Sequence, residues 1–209
     1  NTDVWDPSCD LHISNNFSAA SLANKTKNKI ALQKELNLAV DNKIPLVIFV
    51  GRMDQQKGID VAVDALRLMA NENIQVVFLG SGNPVLEQAC RDLQADYSSK
   101  VRACITFDAE FSHRLYAAGD IILIPSRYEP CGLVQMIAMR YGCIPVARAT
   151  GGLKDTISDV SRDRTGFLFS NLDLKTLMKT LTKALKQFSD TENWRRIQNR
   201  AMNVDFSWN

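Results

Sequence analysis

Arg52 and Lys57 stand five residues apart inside Gly51-Arg-Met-Asp-Gln-Gln-Lys-Gly58, a segment with glycine at both ends. A guanidinium offers a planar fork of donors that matches phosphate oxygens, and a lysine offers a mobile point charge. The segment follows an apolar run and leads into a helical pattern, so free amide N–H groups and the positive end of a helix dipole add to the two cations. Such a set suits a diphosphate. The competing reading is a solvated surface turn, where charges of this kind are common.

A second segment, Pro125-Ser-Arg-Tyr-Glu-Pro-Cys-Gly-Leu133, carries a carboxylate. Pro130 disfavours helical geometry for Glu129 and so holds it in an extended loop. Gly132 lets the backbone come close to a ligand, and the amides of Cys131, Gly132 and Leu133 then open a helix. A fixed carboxylate beside exposed amides can hold sugar hydroxyls while the amides hold phosphate. Against this stand a local turn contact for Glu129 and a small buried filler for Cys131. A third segment, Arg148-Ala-Thr-Gly-Gly-Leu153, places Thr150, Gly151 and Gly152 where paired glycines permit close approach of backbone to an anion. A fourth, Leu79-Gly-Ser-Gly-Asn-Pro84, begins like the dinucleotide fingerprint but has Val85 where the third glycine belongs, and it does not follow the first strand. A tight strand-to-helix turn explains it better.

These loops need elements to carry them. Apolar runs at 44–50, 75–79, 101–107, 120–124, 144–147 and, more weakly, 165–169 read as strands. Helical periodicity fills the intervals at 61–69, 85–96, 111–118, 133–141 and 153–158, and closes the chain at 174–188 and 192–202. Strands that are apolar throughout are buried on both faces, and the helices between them supply the cover. The expectation is an α/β fold with a doubly wound, mostly parallel, Rossmann-like sheet. In such sheets ligands bind beyond the carboxyl ends of the strands, where all four segments fall. Residues 25–38 read as a helix offering Ile30, Leu32 and Leu36 for packing, so residues 1–43 form a lead-in loop and helix, and residues 44–209 the Rossmann-like domain.

Composition narrows the classes. The 209 residues are 45% hydrophobic and 23% charged, and 25 basic residues against 23 acidic give a net charge of +2. A nucleic-acid binder would carry a basic excess or stripe, and neither occurs. The longest apolar run, Ile44 to Gly51, is far short of the roughly 20 residues that span a bilayer. Five cysteines, Cys9, Cys90, Cys104, Cys131 and Cys143, are scattered without a Cys-x-x-Cys pair, and there are two histidines. That pattern suggests reduced thiols rather than a disulfide framework or a zinc site.

Taken together and in order, TDVWDP, GRMDQQKG, LGSGNP, FSHRLYAAGDIILIPSRYEPCGL, RYGCIPVARATGGL and DFSWN resemble the C-terminal half of bacterial glycogen synthases and plant starch synthases, along nearly the whole chain. PSRYEPCGL and TGGL carry most of the specificity; GRMDQQKG alone fits many sugar-nucleotide transferases. The resemblance implies the GT-B architecture, two Rossmann-like domains facing a cleft. It implies glucosyl transfer with retention from ADP-glucose, or UDP-glucose in some relatives, to the non-reducing end of an α-1,4-glucan, without metal or other cofactor. Arg52 and Lys57 would neutralise the departing diphosphate, and Glu129 would act at the donor glucose as nucleophile or electrostatic stabiliser. Gly51 and the Cys131–Leu133 amides would touch glucose or phosphate, and Phe107 would lie against adenine. The same resemblance places the acceptor site in an N-terminal domain ahead of residue 1. It implies a cytoplasmic location for a bacterial source and the plastid stroma for a plant one.

The chain departs from the family at three points. Val134 stands where many relatives have threonine, the basic residue before Thr-Gly-Gly sits one position early at Arg148, and Ile137 occupies a site that is acidic in many other GT-B families. Ile137 and the EPCGL–TGGL pairing disfavour a GT-B transferase using UDP- or GDP-sugars on other acceptors. A phospho-receiver, or another non-catalytic nucleotide-binding module, is the remaining alternative; Asp54 and Asp120 do not supply the clustered aspartates that a receiver needs. His113 is expected to make a structural hydrogen bond near the nucleotide loop, His12 to be a surface or packing residue, and Trp5, Trp194 and Trp208 to pack rather than stack on sugar.

Overall fold

A computed structural model describes residues 4–206, which leaves Trp208 and part of the DFSWN segment outside the described residues. Among these residues six strands form one parallel sheet: β1 Leu46–Val50, β2 Gln75–Gly80, β3 Val101–Ile105, β4 Ile121–Ile124, β5 Ile144–Arg148 and β6 Phe167–Phe169, in the order β3-β2-β1-β4-β5-β6. β1 lies at the centre, with Val47 paired to Val76 on one side and Ile121 on the other. Leu46, Val47 and Ile48 are fully buried, each such side chain contributing about 1.5–3 kcal/mol of burial. The sheet is therefore the α/β, Rossmann-like arrangement that the apolar runs imply.

The helices are α1 Ala23–Glu35, α2 Ile59–Leu68, α3 Pro84–Asp96, α4 Ala109–Ala118, α5 Val134–Arg140, α6 Gly152–Thr156, α7 Leu174–Ser189 and α8 Thr191–Met202. Four of their starts follow side-chain caps. Asn83 accepts from Val85 N with Pro84 in the first turn, and Asp108, Asp173 and Asp190 cap α4, α7 and α8 in the same way. The Asp108 cap explains one difference from the sequence pattern: α4 begins at Ala109, and β3 ends at Ile105 rather than running on to residue 107. As the sheet's edge strand, β3 is only half-buried beyond Val101, so less holds its end in the ladder.

α1 differs more. Its buried face is Lys25, Asn28, Lys29, Leu32 and Gln33, while Ile30 and Leu36 are only half-buried. Long-range hydrogen bonds hold this polar face. Lys25 Nζ donates to the carbonyls of Tyr116 and Ala117, both at 3.0 Å, at the end of α4. Lys29 Nζ donates to Asp120 Oδ2 at 2.6 Å, and the same oxygen accepts from Leu46 N at 2.8 Å. Ahead of α1, His113 Nδ1 lies 2.8 Å from Asp10 Oδ2, Tyr141 donates its hydroxyl to that oxygen at 2.6 Å, and Trp5 stacks on the His113 ring at 3.9 Å. His113 thus has a structural partner, located in the lead-in and not in a strand-end loop. His12 is exposed, 4.9 Å from His113, and Trp194 packs between Phe167 and Phe188.

Candidate functional site

The loops leaving β1, β4 and β5 meet at the carboxyl edge of the sheet and are bonded to one another. In the first, Gly51 has φ +153° and Gly58 φ +69°, and a Cβ on Gly58 would lie 2.0 Å from the Pro125 carbonyl oxygen. Glycine there lets the β1 and β4 loops touch. Arg127 N donates to Gln56 O at 2.8 Å, and Gln56 Nε2 returns a bond to Tyr128 O at 3.2 Å. Arg127 also forks onto both Asp60 carboxylate oxygens, at 2.8 and 2.6 Å. That bidentate bond holds the Asp60 carboxyl below, and the Arg127 guanidinium above, its ordinary range.

Lys57 and Glu129 face each other across this junction. Lys57 Nζ is 2.6 Å from Glu129 Oε2, and the Ser126 hydroxyl donates to that oxygen at 3.1 Å. The pair is largely shielded, with side-chain exposures of 20% and 10%. Arg52 is 67% exposed, held by Asp54 at 2.9 Å and Gln56 at 3.3 Å. Its remaining donors are open to an incoming anion, and Asp54 Oδ1 also accepts from Lys57 N at 2.8 Å. Ser126, Gln56 and Asp54 were not singled out from the sequence; a hydroxyl or amide near a glycine loop carries no signal until the loop's partner is known.

The third loop closes on the second from beneath. Gly152 N donates to the carbonyls of Glu129 (3.1 Å) and Pro130 (3.2 Å). A Cβ on Gly151 would lie 2.1 Å from Glu129 O, and one on Gly152 1.9 Å from Cys131 O. The glycine pair therefore admits the chain's own backbone, and the Gly152 N–H expected to face an anion is occupied by protein carbonyls. Arg148 supports the same loop, donating from Nη1 to Arg127 O at 2.6 Å, while its Nε is buried without a partner. Gln135, at the start of α5, donates to Gly132 O at 2.9 Å and Thr156 Oγ1 at 3.1 Å. Cys131 is exposed rather than a buried filler, and no protein acceptor takes the amides of Cys131, Gly132 or Leu133 among the described residues.

Thus Arg52, Lys57, Glu129, Thr150, Gly151 and Gly152 share one connected rim with the free amides of 131–133. Phe107, 89% exposed on the loop after β3, has no hydrogen bond or ring contact to that rim. Leu133 and Tyr128 are exposed beside it, at 68% and 60%. The arrangement offers an anion a cation and free amides, and offers a neutral polar group a shielded carboxylate.

Residues 31–201 match the sequence pattern of the family described as "Glycosyl transferases group 1". Glycogen synthases of Clostridium perfringens and Thermotoga maritima are 44% and 42% identical to the chain, in each case over 210 residues covering 99% of it. The chain spans 44% and 43% of the lengths of these relatives. The catalytic domain of starch synthase IV from Arabidopsis thaliana, solved bound to ADP and acarbose, superposes with a TM-score of 0.93 at 38% identity, over 99% of this chain and 44% of that one. The C-terminal domain of a group 1 glycosyl transferase (LpcC) from Francisella tularensis, 20% identical, covers 97% of the chain with a TM-score of 0.67 and shares the fold.

Proposed function

The chain belongs to the group 1 glycosyl transferases, and from that premise we propose that it is the donor-binding part of a retaining glucosyltransferase that extends an α-1,4-glucan from ADP-glucose. The observation that carries the reading is the Lys57–Glu129 pair, which joins the phosphate-type loop to the carboxylate loop at the sheet's carboxyl edge. Residues 44–209 are proposed as the nucleotide-sugar domain and residues 1–43 as its lead-in. The acceptor glucan is assigned to a part of the protein outside this chain, because the curated relatives are more than twice as long.

In the proposed reaction the diphosphate lies between Arg52 and the amides of Cys131, Gly132 and Leu133. Lys57 then sits between two anions, the leaving diphosphate and Glu129. As the glycosidic C–O bond of the donor breaks, its electron pair passes to the diphosphate, where Arg52 and Lys57 counter the growing charge. Glu129 faces the opposite charge, the electron-poor anomeric carbon, either bonding to it or stabilising it. Retention is compatible with both. Phe107 supplies a ring for the adenine, and the polypeptide groups suffice without a metal. Among the described residues no helix is long and apolar enough to cross a membrane.

Calorimetric titration of the chain with ADP, UDP and GDP tests the donor, and labelled ADP-glucose with a maltooligosaccharide tests transfer. The expected result is binding that favours ADP and no elongation by the chain alone. Without a held acceptor the proximity contribution of several kcal/mol is lost, and water weakens the charges at an open rim. Tighter binding of UDP or GDP would overturn the ADP assignment. Elongation by the isolated chain would overturn the division of the site.

A further inference from the structure

A cavity of about 660 Å³ lies at the other end of the sheet. It opens between α1, α7 and α8 and the segments that lead into β1, β2 and β4, which contribute Pro45, Ile74 and Asp120. Nothing in the donor reading uses it. Its volume falls within the range of small-molecule sites, roughly 300–1,000 Å³.

Two buried ammonium groups line it. Lys25 is 5% and Lys29 3% exposed, one turn apart on α1. An ammonium has three N–H donors. Lys25 uses two, on the Tyr116 and Ala117 carbonyls, and Lys29 uses two, on Asn42 O and Asp120 Oδ2. Each keeps one N–H without a hydrogen-bond acceptor, with Lys25 Nζ 5.6 Å from the Phe17 ring centre and Lys29 Nζ 5.0 Å from that of Phe188. Trp194, also of the lining, is 4% exposed, and its indole Nε1 is buried without a partner among the described residues. Buried donors normally find acceptors, and each one left without costs about 1–3 kcal/mol.

The charges agree with the donors. Lys43 and Arg195 are exposed cations of the lining and make no ion pair among the described residues, so four positive groups meet two carboxylates, Glu72 and Asp120. Asp120 is already bonded to Lys29 and to Leu46 N. The lining therefore carries a positive surplus that an anion would balance. The rest of the lining combines neutral polar side chains suited to hydroxyls, Asn73 and Thr191, with apolar Leu22, Ile74, Leu185 and Phe188.

We propose that this cavity is a second ligand site, which takes a phosphomonoester of a sugar-sized polyhydroxy compound. The phosphate lies against the unused donors of Lys25, Lys29 and Trp194, with Lys43 and Arg195 adding long-range attraction, and the hydroxyls face the neutral wall. The site is separate from the donor rim and does not depend on the identity of the donor.

The test is calorimetry of the chain with glucose 1-phosphate under saturating ADP, which keeps the donor rim filled, with inorganic phosphate and glucose as comparisons. Indole fluorescence is followed in parallel, with Trp194→Phe as the control. Expected are one-to-one binding of glucose 1-phosphate in the presence of ADP, weaker binding of phosphate, none of glucose, and a fluorescence change that Trp194→Phe removes. Lys43→Ala and Arg195→Ala, both at exposed positions that leave folding intact, should each weaken binding about three- to fivefold. Glu129→Gln should leave it unchanged. No binding at millimolar ligand, competition by ADP, or insensitivity to Lys43→Ala and Arg195→Ala would overturn the proposal. Phosphate binding as tightly as glucose 1-phosphate would overturn its sugar-phosphate selectivity.

Discussion

Lys57 Nζ and Glu129 Oε2 are 2.6 Å apart, although 72 residues separate them in the chain. Each is the other's ionic partner, and each belongs to a different strand-end loop. The contact thus sets the spacing of the two loops and places a shielded carboxylate beside the phosphate-type segment. Its other consequence is mutual dependence: removing one group leaves the other shielded and uncompensated.

That dependence is measurable by a double-mutant cycle. Lys57→Met and Glu129→Gln should each destabilise the chain by about 1–3 kcal/mol, and the double variant by less than their sum. Urea unfolding of the four proteins gives the coupling. Strict additivity would show that the pair contributes nothing in solution.

The same pair separates binding from turnover. Arg52→Ala and Lys57→Ala should each weaken ADP binding about tenfold, the scale of one lost charge-assisted hydrogen bond. Glu129→Gln in the full-length protein should lower turnover by at least about 10²-fold with ADP affinity unchanged or tighter, because Lys57 loses its competing anion. Near-normal turnover would reduce Glu129 to a loop brace.

Gly152→Ala should be destabilising by about 1–3 kcal/mol, since its Cβ would lie 1.9 Å from the Cys131 carbonyl oxygen. Displacement of the 129–131 backbone should weaken ADP binding as well. Lys154→Ala, an exposed change on the same short helix, should stay within about 0.5 kcal/mol. Equal unfolding curves for the two variants would refute the close approach.

Alkaline stability should pass through a maximum. Burial pulls the Lys25 ammonium down to about 8 from 10.5, so its penalty is relieved as pH rises from about 8 to 10.5. Burial pushes the Cys90 and Cys143 thiols up to about 12 from 9.0, so stability present below pH 9 is lost as pH climbs towards 12. Burial raises the Tyr116 and Tyr141 hydroxyls too, and both add to the loss above pH 10. Stability should therefore peak between pH 8 and 9 and then fall by about 1.4 kcal/mol per pH unit for each net proton. Unfolding by urea at pH 7, 8.5 and 10 checks the shape, and a Cys90→Ala/Cys143→Ala protein should lose part of the decline.

What the sequence reveals depends on how local each signal is. β1, β2, β4 and β5 are legible because fully buried strands are continuous apolar runs, and glycine marks where each phosphate-type loop turns. α1 is legible as a helix and Leu32 packs as expected, but the rest of its buried face is hidden because it is lysine, asparagine and glutamine, held by carbonyls as far away as Tyr116. The helix starts at Asp108 and Asp190 are written locally, but the helical periodicity becomes visible only one or two residues further on. In the site, the residue types at Arg52, Lys57 and Glu129 show which chemistry is available, while the pairing of two of them does not show. Gly151 and Gly152 mark a close approach without revealing that the chain's own backbone makes it.

The strand order has a consequence in time. β1 is apolar throughout and lies at the centre of the sheet, yet Ile121, the β4 partner of Val47, follows it by more than seventy residues. At about 5–20 residues per second of synthesis, one edge of β1 waits for about 4–15 s before its second neighbour exists. During that interval a nascent chain presents Leu46–Val50 as an open template for any other strand. Safe production of the protein therefore depends on how that edge is sheltered during synthesis, and a slow-translating stretch between β1 and β4 would lengthen the exposure.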